Sequence, residues 1–177
     1  LVTPDAGEVR LDGTARRWRG AGDAIAAGIG MVHQHFTLVP AMTVAENVAL
    51  GRRGRYDARA AADRVRAVGA RTGLVLDPDA RVGELPVAAQ QRLEIVKALA
   101  REAQLLILDE PAAVLTPAES EELLGWLRGH VDAGGTAVLV THKLRDALAW
   151  ADEVTVLRHG RTVGARPRAA ATLAGLT

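Results

Sequence analysis

Hydrophobic and polar positions change rhythm three times along the chain. Gly7-Glu8-Val9-Arg10-Leu11-Asp12-Gly13 alternates and closes on Asp-Gly, which predicts a short strand entering a tight turn. An Ala-rich stretch from Asp23 to Gly30 predicts a small helix leading into a strand, Gly30-Met31-Val32-His33-Gln34. From Thr43 to about Gly73 the spacing is helical, with Val44, Val48 and Leu50 on one face and Asp57 placed to cap Ala58 through Val68, before Asp77-Pro78-Asp79 breaks the pattern. A longer helix follows from Val87, carried by Leu93, Val96, Leu99 and Ala100.

The rhythm then returns to strands. Leu105-Leu106-Ile107-Leu108 is continuously apolar and ends on Asp109-Glu110-Pro111, which predicts a strand buried on both faces of a parallel sheet. Pro117 opens a helix whose spacing runs from Ser120 to His130, Gly134-Gly135 closes it, and Thr136 to Val140 predicts another buried strand. Lys143 to Trp150 reads as a helix, Glu153 to Leu157 as a strand, and His159-Gly160 as a turn into Arg161-Thr162-Val163. Strand alternating with helix from Leu105 onward indicates an α/β sheet, so 1–36 and 102–177 are expected to form its core and 37–101 a helical subdomain inserted between strands.

Composition narrows the function classes. The 177 residues are 49% hydrophobic and 24% charged, enough for one domain with a sizeable core and too apolar for bulk disorder. The formal charge of +1 gives no basic field for nucleic acid or an anionic membrane. With no Cys there is no disulfide framework, thiolate zinc site or Cys nucleophile, and a reducing compartment is the default expectation. Leu1-Val2-Thr3-Pro4-Asp5 has neither initiator Met nor signal-peptide character, so an internal fragment is expected. Apolar runs fall well short of the roughly 18 to 20 residues that span a bilayer. The Arg- and Ala-rich composition, with Lys97 and Lys143 the two lysines, reads as GC-rich coding more than as function.

Three strand ends carry the candidate chemistry. Asp109 and Glu110 stand at the C-terminal end of an apolar strand, where open α/β sheets bind ligands. There an Asp can hold Mg²⁺ through water and a Glu can orient or deprotonate a water attacking a phosphoryl group, although a solvated acidic turn would look the same. His142 follows the next strand and can meet a phosphate or its attacking water, while a lone His more often serves only as a hydrogen-bonding residue. Gln34 ends an earlier strand, where an amide can ligate Mg²⁺ or hold water, or simply lie on the surface.

Five ordered motifs together make the chain resemble the ATP-binding cassette (ABC) ATPases. Gly28 to Phe36, Leu38-Val39-Pro40 and Met42 to Val48 are similar to the glutamine loop of the first cassette in tandem simple-sugar or nucleoside importers. Leu85 to Ala100 resembles the signature helix, Leu105 to Pro111 the Walker B strand, Ala113 to Pro117 the D-loop, and Val140 to Leu144 the switch histidine. The resemblance implies a P-loop NTPase (RecA-like) core with the ABC helical subdomain, N-terminally incomplete. It also implies ATP and Mg²⁺ as cofactors, Asp109 and Gln34 at the metal, Glu110 as general base and His142 at the γ-phosphate. The implied partners are transmembrane permease subunits, contacted around Phe36 to Gly51, and a second cassette, with no nucleic acid. The implied location is cytoplasmic, on the inner face of the membrane.

Two departures stand against those matches. No G-x-x-x-x-G-K-S/T phosphate loop occurs in the chain, and the family places it just before the position of Leu1. The family signature Leu-Ser-x-Gly-x-Gln reads Leu85-Pro86-Val87-Ala88-Ala89-Gln90 here, so the half-site it offers in trans to a nucleotide, Pro86 through Gln90, is expected to be degenerate. The alternative is a truncated, non-hydrolysing cassette that acts only as an interaction domain. A soluble ABC protein of translation or DNA repair is disfavoured by the near-neutral charge.

Overall fold

A computed structural model describes residues 4–52 and 54–170. The opening Leu1, Val2 and Thr3 and the end of the Ala-rich tail, 171–177, lie outside the described residues. Strands β1 (Val9–Leu11) and β2 (Thr14–Arg16) pair antiparallel around Asp12-Gly13, both at positive φ, as the Asp-Gly turn predicts. Helix α1 (Ala21–Ala26) leads into β3 (Ile29–Val32). Helices α2 (Val44–Ala49), α3 (Ala58–Thr72) and α4 (Val87–Leu99) separate it from β4 (Leu105–Asp109). Then come α5 (Pro117–Asp132), β5 (Thr136–Val140), α6 (Leu144–Trp150), β6 (Glu153–Arg158) and β7 (Arg161–Pro167).

The central sheet has the order β3-β4-β5, all parallel, with Val32 opposite Leu108 and Asp109 opposite Val140. Its core face presents Val32, Leu106 and Leu108, each fully buried against Leu93 and Val96 of α4 and Leu123, Leu124 and Leu127 of α5. Burying one of these side chains contributes about 1.5–3 kcal/mol. Close approach of β3 to α4 requires Gly30, where a Cβ would lie 2.7 Å from Ala98 Cβ and 2.8 Å from Ala103 Cβ.

One expectation, the full burial of β4 and β5, is corrected. The stretch from Thr43 to Gly73 is helical as expected, in two helices, with Gly51 and Gly54 at positive φ turning the chain between Leu50 and Asp57. Asp57 does cap α3, accepting from the Ala60 N–H at 3.0 Å. Strand β4 is not buried on both faces and β5 is not a buried strand. Helices cover one face among the described residues, and on the other Met31, Val138 and Val140 are nearly half exposed. The His159-Gly160 turn forms as expected, both residues at positive φ, and folds β7 straight back on β6 as a separate antiparallel pair. Within the stretch Phe36 to Gly51, Leu38 is partly buried against the core and Val39 is half-buried.

No helix among the described residues is long and apolar enough to cross a membrane.

Candidate functional site

Parallel pairing sets β4 and β5 side by side with their C-terminal ends level, so the segments that follow them meet. The Glu110 N–H donates to the Val140 carbonyl at 2.9 Å, carrying the ladder one residue beyond the strand. Glu110 itself has φ 46°, a left-handed conformation that a residue with a Cβ adopts at a cost of about 1–3 kcal/mol. The buried Pro111 and the Val140 bond hold it there, and the turn aims its carboxylate across the strand ends.

Two other segments converge on that carboxylate. Nδ1 of His142 lies 3.1 Å from Oε1, and the Gln34 amide donates to Oε2 at 3.4 Å. The Glu110 side chain is about one quarter exposed and that of His142 largely exposed, so the group is reachable from solvent. Lys143 braces the arrangement, donating through Nζ to the Ala112 carbonyl at 2.7 Å, while its own N–H donates to Thr141 Oγ1 at 3.0 Å. Asp109, half-buried, is the last residue of β4.

Gln34 arrives by a different route from the one expected. Strand β3 ends at Val32, so Gln34 belongs to the loop beyond it and not to the strand terminus. Pairing with β4 stops at Val32 and Leu108, and the chain turns away two residues before the glutamine. That loop is gripped from the helical side. Buried Asn47 accepts from the Val39 N–H at 2.8 Å and donates to its carbonyl at 3.1 Å, and Glu94 accepts from the Thr37 N–H at 2.6 Å.

Sequence reasoning missed Lys143, Asn47, Thr37 and Glu94. The only signal for Glu94 is a carboxylate inside the locally apolar run Leu93-Glu94-Ile95-Val96; its helical neighbours Gln90, Gln91 and Lys97 are polar, so burial was not legible from spacing.

Pro86 through Gln90 lie elsewhere. Pro86 is the N-cap of α4 and makes no side-chain cap, Val87, Ala88 and Ala89 form the first turn, and the Gln90 amide donates back to the Leu85 carbonyl at 2.9 Å. Among the described residues no hydrogen bond or ion pair joins them to Gln34, Asp109, Glu110 or His142.

The donor set determines what this site can hold. The Glu110 carboxylate beside the Gln34 amide, and the Asp109 carboxylate one residue earlier, offer hard oxygen donors, which suit Mg²⁺. The described residues contain no group of three or more His, Asp or Glu placed to cage a metal, so such an ion would rely on water and on substrate oxygens for most of its shell. A phosphate cradle is a different matter. The sequence has no G-x-x-x-x-G-K-S/T, and the nearby Lys143 ammonium is already committed to the Ala112 carbonyl. The residues present therefore fit a hard divalent cation with its water, and no phosphate cradle accompanies them among the described residues.

Comparisons with known proteins agree with this architecture. A model of the ABC transporter family matches residues 1–113. The glucose import ATP-binding protein TsgD13 of Haloferax volcanii is 43% identical over 196 residues, covering 93% of this chain and 36% of that protein. The nucleoside import ATP-binding protein NupA of Lactococcus lactis is 42% identical, covering 92% and 33%. The ribose import ATP-binding protein RbsA 1 of Burkholderia thailandensis is 44% identical, covering 96% and 34%. The chain thus spans about a third of the length of these curated relatives. Among solved structures, the dimeric ATP-binding cassette MJ0796 bound to ADP and Pi superposes with a TM-score of 0.76 at 24% identity, covering 94% of this chain and 75% of that one. The cbiO1 protein of Clostridium perfringens, part of the ABC transporter complex cbiONQ, gives 0.79 at 25% identity, covering 95% and 68%. Family match, cassette fold and a parallel sheet with acidic residues at its strand ends lead to one assignment: the chain belongs to the ABC transporter family.

Proposed function

We propose that this chain is part of the ATP-hydrolysing subunit of an importer for simple sugars or nucleosides. The observation that carries the reading is the convergence of Gln34 and His142 on the two oxygens of Glu110 at adjoining strand ends. In this reading 1–36 and 102–177 form the nucleotide-facing core and 37–101 the helical subdomain. The names of the relatives support the choice of solute class. A membrane permease and a second cassette are the proposed partners, and a cytoplasmic place against the inner membrane face follows from them.

Glu110 is the proposed general base or water-positioner. Its Oε2 accepts from the Gln34 amide and its Oε1 lies beside His142 Nδ1, leaving lone pairs that can align a water and take its proton. His142, beside Oε1, holds the carboxylate in orientation and offers its other ring nitrogen outward, toward a phosphate. Asp109 and Gln34 are the proposed metal-side residues; Mg²⁺, when bound with ATP, neutralises charge developing on the transferred phosphoryl group. Pro86 through Gln90 are the proposed trans-acting signature, with Pro86 and Ala88 weakening it.

The test is a steady-state Mg²⁺-ATPase assay on two proteins. The 177-residue chain is expected to show no turnover above its Glu110→Gln variant, since no residue in it replaces the phosphate cradle. The polypeptide carrying a glycine-rich loop with Lys in frame upstream is expected to hydrolyse ATP, and to lose this in Glu110→Gln. The altered signature favours a second reading, a cassette that docks without turnover. An extended polypeptide that binds its permease but hydrolyses nothing establishes that reading.

A further inference from the structure

We propose that Glu94 and Lys97 of α4 are positioning residues for Gln34, acting through Thr37. The inference rests on the hydrolytic reading of Gln34 and Glu110 above. Glu94 is 3% exposed, a carboxylate in the middle of the core-facing helix. Its Oε1 accepts from the Thr37 N–H at 2.6 Å and from the Thr37 hydroxyl at 3.0 Å, and Oε2 lies 3.4 Å from Lys97 Nζ. Lys97 completes the grip, donating to the Thr37 carbonyl at 3.2 Å and to its hydroxyl oxygen at 3.3 Å. One turn of α4 therefore holds both backbone polar groups of Thr37 and its side chain.

A carboxylate taken out of water is costly unless its oxygens are satisfied, and an apolar side chain would pack at that position without the penalty. What the carboxylate supplies in return is a directional hold on a loop N–H. Thr37 is three residues from Gln34, a span of at most about 11 Å of chain, so the glutamine cannot move far independently of it. At the far end of that short tether the Gln34 amide meets Glu110 at 3.4 Å, the long limit of a hydrogen bond, where a shift of a few tenths of an ångström makes or breaks it.

Helix α4 begins with Val87, one residue after Pro86, so it joins two places. Glu94 lies about 11 Å along the axis from Val87, at 1.5 Å per residue. A push or pull on the N-terminal turn that moves α4 as a rigid body carries Thr37 with it and changes the distance between Gln34 and Glu110. Loop position is thereby tied to the helix that bears the segment 86–90.

Hydrogen exchange read by mass spectrometry on the 177-residue chain tests the link without any nucleotide. Glu94→Gln keeps the shape but loses the ion pair, and Thr37→Val, at an exposed residue, removes only the hydroxyl. Both are expected to raise exchange of amides 33–38 by about tenfold or more while β4 stays protected. Equal acceleration through β4, or unchanged exchange in 33–38, overturns the proposal. In the complete ATPase, Glu94→Gln is expected to lower kcat with the KM for ATP unchanged, and to have no further effect once Gln34 is already Ala. A full additional loss in the Gln34→Ala background overturns it. Selective exchange in a complete protein that hydrolyses nothing refutes the hydrolytic reading and leaves the link itself standing.

Discussion

Glu110 and His142 lie on adjoining strand ends with Nδ1 and Oε1 3.1 Å apart, and they reach that distance because Asp109 pairs opposite Val140 in the parallel ladder. The spacing makes the carboxylate and the imidazole one unit. In the complete ATPase, Glu110→Gln is expected to slow hydrolysis by about 10² to 10⁴-fold, the usual worth of a general base, with ATP affinity retained. Equilibrium binding beside single-turnover rates checks this. Affinity falling in parallel with rate would assign Glu110 to binding instead.

Gly30→Ala tests the packing beneath the site. A methyl group 2.7 Å from Ala98 Cβ must push α4 away from β3, and overpacking of this kind costs about 1–3 kcal/mol. Urea unfolding of the chain should show a lower midpoint with the slope unchanged. An unaltered midpoint would mean that the strand and helix separate freely.

Pro86→Ser separates stability from function. A Ser N-cap contributes about 1 kcal/mol to α4, and the loss of proline's restraint on the unfolded chain removes about 0.4–1 kcal/mol, so the folded chain is expected to change little. Combined with Ala88→Gly in the complete protein, it should raise ATP turnover if the opposing cassette holds nucleotide firmly. A partner that binds ATP well, with no response to the double change, would mark both residues as tolerated variants.

His130 gives the chain a pH dependence unrelated to the site. Its ring stacks on Trp126 at 5.6 Å and Nε2 has no hydrogen-bond partner among the described residues, so burial lowers its pKa below the ordinary value of about 6.5. The unfolded chain then binds the proton more tightly than the folded one. Stability is full above about pH 6.5 and declines as pH falls from there toward the lowered folded value. Thermal melts across that window should show a steeper loss for wild type than for His130→Phe, and parallel curves would exclude this histidine as the cause.

Much of the layout was legible because parallel strands write themselves as short continuous apolar runs. Leu105 to Leu108 and Thr136 to Val140 fall in β4 and β5, and Pro117 marks the first turn of α5 as expected. Burial was less legible. Apolar composition says that a strand can be covered, and only the tertiary arrangement says that helices lie on one side of Val138 and Val140. The glutamine loop shows the same limit: where pairing stops at Val32 depends on the partner strand, which lies outside the local pattern. A cavity of about 1120 Å³ was also not foreseeable. It opens at the beginnings of β4 and β5 beside Trp126 and His130, at the opposite pole of the strands from Glu110.

The parallel pairing of β3 with β4 has a consequence for how the molecule assembles. Gln34 and Glu110 are 76 residues apart along the chain, whereas the Lys143 to Ala112 bond closes a separation of 31. Longer closures carry the greater entropic cost, so β4, α5 and β5 are expected to nucleate first and to await the rest. The contact between Gln34 and Glu110 then forms in the last cooperative step. In a refolding time course, a probe beside Gln34 should lag one beside Thr141, and simultaneous arrival would refute this order.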